Sequence, residues 1–158
     1  MRKRVGLGIA ATAVAVGGFA IAGTAGSKGP NGTIRLFEHD TSQAQIDLGD
    51  KGPSAGDQFV FAGDLFDRKG GTKVGRLGGT CTTVSPTESF CVSNVRLRGG
   101  QIAAQGLFDS AKLFGGQTLT GPITGGSGIY RHARGYHTIQ IPPNVPNLTD
   151  AYFVLHLE

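Results

Sequence analysis

Glu38 and Asp40 are the residues of this chain best placed to do chemistry. They stand two apart in Phe37-Glu38-His39-Asp40, and on a strand such residues point to the same side. Carboxylates sharing a face can give and take a proton, or stabilise developing positive charge. In an apolar lumen, desolvation would raise the pKa of Glu38 and suit it to acid–base work. On an edge strand, the same residue is an ordinary surface glutamate. Composition leaves both readings open.

The other reactive side chains offer less. His39, His132, His137 and His156 lack the spacing of zinc ligands, so they read as scattered surface or core histidines and no metal site is expected. No Gly-x-Ser-x-Gly elbow accompanies a histidine and an acid. Gly125-Gly126-Ser127-Gly128 could cradle a phosphate. It lacks the Lys-Ser or Lys-Thr of a P-loop and opens no long helix, as a dinucleotide site requires. It reads instead as a structural corner: a strand ending, a short helical turn, and a new strand from Arg134. Cys81 and Cys91 flank a segment that turns near Pro86, and such a hairpin sets them opposite each other within bridging reach.

The elements that must position these groups are strands. Alternating runs bounded by turn residues predict strands over 33–38, 57–67, 73–84, 90–98, 101–110, 117–124, 134–141 and 151–157. Gly70-Gly71 and Gly99-Gly100 mark tight turns, and 144–150, with Pro142 and Pro143 before it and Pro146 within it, is a loop. No three-turn amphipathic helix is visible. Eight strands without crossover helices form a sandwich or a barrel. Ile34, Leu36, Glu38 and Asp40 share one face, as do Phe59, Phe61, Gly63 and Leu65. Leu77, Gly79 and Cys81 align on the third strand, and Ile102, Ala104, Gly106 and Phe108 on the fifth. A lumen built from these is greasy and aromatic with carboxylates in one region, the composition of a small-molecule site.

Length and charge narrow the classes. The 158 residues are enough for one domain. Arg2, Lys3 and Arg4 precede a small-apolar run over 5–22 and then small residues, the pattern of a secretion signal over 1–25. Residues 26–32 read as a flexible leader. The chain has 15 Lys+Arg against 11 Asp+Glu; without the three leading basics the balance is 12 against 11, or +1. That excludes the basic stripe of a nucleic-acid binder. An exported chain keeps disulfides, which favours a Cys81–Cys91 bridge.

Several motifs then fall in a familiar order: Gly56-Asp57 leading to Phe61-Ala62-Gly63-Asp64-Leu65-Phe66-Asp67, Val74-Gly75 through Gly79-Thr80-Cys81, Gln105-Gly106-Leu107-Phe108, and the glycine corner with Tyr130. Over about 38–140 this resembles the allene oxide cyclase and dirigent barrels, whose fold is shared by bacterial spirotetronate-forming cyclases. The resemblance implies a closed barrel, and it places Glu38 where the plant cyclases use a first-strand glutamate. Asp40 and Gly63 stand where those enzymes carry asparagines, and Phe108 stands where they carry a tyrosine. Cys81 matches a family cysteine. Ile129 occupies the place of an acidic residue common in dirigent proteins. The resemblance thus implies the barrel but not the same epoxide chemistry.

The expectation is an all-β protein with a single antiparallel eight-stranded barrel over 33–158, secreted and disulfide-stapled. It would meet a membrane only through the signal before cleavage, and homo-oligomers are an option in related barrels. As a cyclase or isomerase needing no cofactor, it would hold a small apolar molecule against Phe59, Phe61, Leu65, Leu77 and Phe108, with Glu38 and Asp40 catalytic. The alternative is a non-catalytic secreted carrier or dirigent-like interaction barrel. An apolar cavity reaching Glu38 favours the first; a core packed solid by Phe59, Phe61 and Phe108 favours the second.

Overall fold

Eight strands close on themselves in the computed structural model, which describes residues 30–143 and 150–158. The expected signal, most of the leader and nearly all of the proline-bearing loop lie outside the described residues. The strands are β1 (Gly32–Ile46), β2 (Gln58–Phe66), β3 (Lys73–Ser85), β4 (Glu88–Leu97), β5 (Gly100–Asp109), β6 (Leu119–Gly126), β7 (Gly135–Gln140) and β8 (Asp150–Leu157). Each runs antiparallel to the next, and β8 returns to pair with β1 from Gly32↔Leu157 to His39↔Asp150. Closure removes the free edges that an open sheet would expose.

Local residue choice explains the hairpins. Arg98-Gly99 forms a two-residue loop between the paired Leu97 and Gly100, and Gly99 takes φ 92°, which an L side chain resists. After β2, Asp67 Oδ1 accepts from Thr72 N at 2.9 Å and fixes the Gly70-Gly71 turn. Pro86-Thr87 turns β3 into β4, with Ser85 opposite Glu88. Gly128–Tyr130 forms a single 3-10 turn after the glycine corner, as that run's spacing predicts.

Two elements differ from the strand pattern. β1 continues past Glu38 to Ile46, through a bulge between Asp40 and Ser42, because its backbone pairs with β2 even though its side chains there are mostly polar and exposed. Ser110–Phe114, helix α1, replaces the expected end of the fifth strand. Asp109 caps it, accepting from Lys112 N at 2.9 Å.

The lumen divides into two levels. Leu65, Leu77, Val95, Ile102 and Leu155 are fully buried near the end closed by the 3-10 turn, and Tyr130 packs against them as a plug. Each such side chain contributes roughly 1.5–3 kcal/mol by leaving water. At the other level, Cys91, Phe108 and Leu113 form a smaller cluster under α1. Cys81 and Cys91 are directly opposed and disulfide-bonded. The bridge closes a short loop, so replacing both with serine should lower stability by roughly 2–3 kcal/mol. Denaturant unfolding with and without reductant checks this; identical midpoints would contradict it.

Candidate functional site

A pocket enters the barrel from the α1 end and reaches Glu38. Its cavity volume is about 50 Å³. β1 supplies Glu38 and Asp40, β2 supplies Phe59 and Phe61, and β3 and β4 supply the disulfide. Phe108 from β5, Leu113 from α1, and His137 and Ile139 from β7 complete the wall. Exposed Phe114 and half-buried Ile141 stand at the mouth.

Aromatic rings give the wall its shape. Phe59 and Phe61, on one face of β2, stack with centroids 5.8 Å apart and planes 21° apart. Gly79 lies directly across from Phe61, and a β-carbon there would stand 2.7 Å from the ring's Cζ. The bare backbone of β3 thus makes room for the ring. Phe108 meets the His137 ring edge-on at 6.2 Å.

Glu38 is 4% exposed, and burial is the main reason its carboxyl is raised from 4.5 to about 10. A side-chain hydrogen bond with Asp40 and the negative charges of Asp40 and Asp150 push the same way. Asp150 is itself held by His39 Nδ1 at 3.1 Å and Lys69 Nζ at 3.2 Å. Gln43 Nε2 donates to Asp40 Oδ2. Glu38 Oε1 and Asp40 Oδ1 are nevertheless buried with no hydrogen-bond partner among the described residues. Gly63, paired with Asp40 across the ladder, makes this burial possible: a β-carbon there would collide with Glu38 Oε1 and lie 2.8 Å from His39 O.

His137 is a further polar group of the lining, beside Ser93 and Gln105. It is 3% exposed, and burial lowers its pKa despite hydrogen bonds to the backbone of Pro122 and Gly121. Its Nδ1 has no hydrogen-bond partner among the described residues. At neutral pH the pocket therefore combines a protonated carboxyl with an uncharged imidazole, both inside apolar walls.

The structure brings together Glu38, Asp40, Phe59, Phe61 and Phe108, with Cys81 and Cys91 bridged beside them. Leu65 and Leu77 are a correction. They share the inward face but are only 0% and 2% exposed, and they pack in the closed level outside the pocket lining. Strand alternation assigns a residue to a face but not to a height along the barrel. His137 and Leu113 are lining residues that the sequence reading missed. His137, Ile139 and Ile141 alternate inward, a period-two signal present in the sequence. Leu113 was hidden by the shortness of α1, although Asp109 is of a residue type that caps helices.

Known proteins place this geometry. Residues 36–155 match the family described as allene oxide cyclase barrel like domain. No curated protein matches the chain in sequence. Among solved structures, pyocyanin demethylase is 28% identical with a TM-score of 0.64, covering 80% of this chain and 99% of that one. The exo-specific intermolecular Diels-Alderase AbnU is 18% identical with a TM-score of 0.65, covering 82% and 98%. The pterocarpan synthase dirigent protein PsPTS1 is 19% identical with a TM-score of 0.58, covering 80% and 96%. The last two share the fold. With its closed eight-stranded barrel and a family match over most of its length, the chain belongs to the allene oxide cyclase barrel-like family.

Proposed function

We propose that this barrel is an enzyme that inserts one end of a small, largely apolar molecule into the pocket and isomerises or cyclises it by proton transfer. The observation that carries this reading is the buried Glu38–Asp40 pair, whose two unpartnered oxygens lie in an apolar and aromatic pocket. A buried polar atom without a partner costs roughly 1–3 kcal/mol, so a ligand that satisfies it gains that much. Isomerisation gives one proton to the substrate and takes one back. Protonated Glu38 gives its proton to a substrate oxygen or unsaturated carbon, and the pair recovers one from the site that becomes acidic. His137 Nδ1, on β7, is a second acceptor in the same pocket. The rings of Phe59, Phe61 and Phe108 restrict the bound conformation, the orientation part of the rate gain. Further support comes from pyocyanin demethylase, a similar barrel named as an enzyme.

In this reading the reacting end lies at Glu38 and the remainder extends toward Phe114 and Ile141, which also line the pocket. Mass spectrometry of gently purified protein should find a co-purified small molecule. Phe61→Ala should then weaken its binding by about tenfold through lost apolar wall area. If Phe61→Ala leaves affinity untouched, the pocket is not the binding site. A ligand that binds and leaves unchanged supports the carrier reading instead.

We also propose export, a reading supported by the disulfide. Expressed with a general secretion system, the chain should appear outside the membrane with its N-terminus near Gly23 or Gly26. Recovery of intact Met1 in a membrane fraction would count against a cleaved signal.

A further inference from the structure

The end of the barrel opposite the Glu38 pocket holds a second cleft, of about 250 Å³. Its walls are apolar: Ile34 and Leu36 from β1, Val74 from β3, Leu97 from β4 and Tyr130 from the 3-10 turn. Three charged residues stand among them, Arg35, Arg98 and Asp67. Asp67 is already engaged, accepting from Thr72 N at 2.9 Å and pairing with Arg68 at 3.2 Å. Arg35 and Arg98 are exposed, with no ion pair or side-chain hydrogen bond among the described residues. The two pockets share no lining residue, and the fully buried Leu65, Leu77, Val95, Ile102 and Leu155 line neither.

Charge at this end is one-sided. Its connections, 67–72, 98–99 and 127–134, carry Arg68, Lys69, Arg98, Arg131 and Arg134 against Asp67 alone. Glu158 stands near Gly135, outside the cleft lining. At the mouth, 47–57, 86–87 and 110–118 carry Asp47, Asp50 and Asp57 against Lys51 and Lys112. A local surplus of one sign draws the opposite charge from solution.

We infer that this cleft binds a small organic acid, with its apolar body against Leu97 and Tyr130 and its carboxylate held by Arg35 and Arg98. An aliphatic and aromatic cavity of ~150 Å³ already takes benzene. The cleft's volume of about 250 Å³ therefore accommodates one substituted ring. Guanidinium groups donate paired hydrogen bonds to a carboxylate, a geometry that neither an alcohol nor an amine can use. Because both arginines stay partly in water, each is worth a few-fold in affinity rather than orders of magnitude.

Nuclear magnetic resonance titration of the oxidised protein with naphthalene-2-carboxylate, and with uncharged 2-naphthylmethanol, tests this. The amides of Val74, Leu97 and Tyr130 should shift and saturate, with a dissociation constant for the acid below about 1 mM. Arg35→Gln combined with Arg98→Gln should weaken the acid about tenfold and the alcohol less than about twofold, at an unchanged melting temperature. Asp67→Asn keeps an oxygen for Thr72 N but removes the opposing charge, so it should tighten the acid about twofold. Raising salt from about 0.02 M to about 0.5 M should weaken the acid and not the alcohol, a comparison that needs no variant. No saturable shift at these amides, equal affinity for acid and alcohol, insensitivity to salt, weaker acid binding in Asp67→Asn, or undiminished acid binding in the paired arginine variant would each overturn the inference. So would capture by vesicles of anionic lipid without binding of the free acid.

Discussion

Glu38→Gln should slow turnover of the co-purified ligand by about 10²–10⁴-fold, the usual worth of a positioned acid–base group. Ligand affinity should change only a few-fold. The amide keeps the shape of the carboxyl, and the walls that hold the ligand are Phe59, Phe61 and Phe108. The reason lies in the state of the side chain. Burial, Asp40 and Asp150 keep Glu38 protonated at neutral pH, so it serves as an acid first. An amide can still donate a hydrogen bond, but it cannot release the proton. Asp40→Asn should be less severe, because Glu38 keeps its proton while losing the neighbour that helps recover one. Measuring kcat and KM separately distinguishes the two effects: proton transfer moves kcat, whereas wall contacts move KM. Unchanged turnover in Glu38→Gln would reduce the carboxyl to a structural group and leave the barrel as a carrier.

How much of this was legible in the sequence depends on which physical constraint acts. Turn chemistry is local, so Gly70-Gly71, the Pro86 hairpin and, one residue late, the Gly99-Gly100 turn could be read directly, and they delimit β2 to β5. The opposed cysteines followed from the same hairpin. Alternation is also local, and it placed Glu38, Phe59, Phe61 and Phe108 on inward faces. Depth is not local. Leu65 alternates with Phe61 and Phe59, yet it packs in the closed level because the tilt and register of all eight strands decide height along the axis. The β1 extension was invisible for a related reason. Asp40-Thr41-Ser42-Gln43 has the composition of a loop, and only its backbone pairing with β2 makes it strand. Gly63 reads as an ordinary strand glycine until Glu38 is seen to occupy the space its missing β-carbon leaves.

The same buried carboxyl should make the protein lose stability as pH rises from 7 to 8.5. Glu38 has a folded pKa of about 10 against 4.5 in an ordinary setting, so the folded chain binds a proton that the unfolded chain has released. Its contribution is complete below pH 4.5 and falls by about 1.4 kcal/mol per pH unit as pH climbs through the window. His137 acts oppositely. Its pKa is lowered, so its contribution is complete above about 6.5 and is lost as pH falls through the folded value. Below 6.5 the two slopes oppose; above it, Glu38 acts without that counterweight. Asp57, Asp64 and Asp109 are held low by hydrogen bonds from Ser54 N, the Lys73 side chain and Lys112 N respectively, and their stabilisation is lost only as pH falls below the usual carboxylate range. Stability should therefore peak in mildly acidic solution. Denaturant unfolding of the wild type should show a loss of about 2 kcal/mol between pH 7 and 8.5. Glu38→Gln should be flat over that interval and more stable than the wild type at its upper end, because glutamine has no proton to hold against the solvent. A wild-type profile as flat as that of the variant would mean that Glu38 ionises normally, and its role as an acid would fall with it.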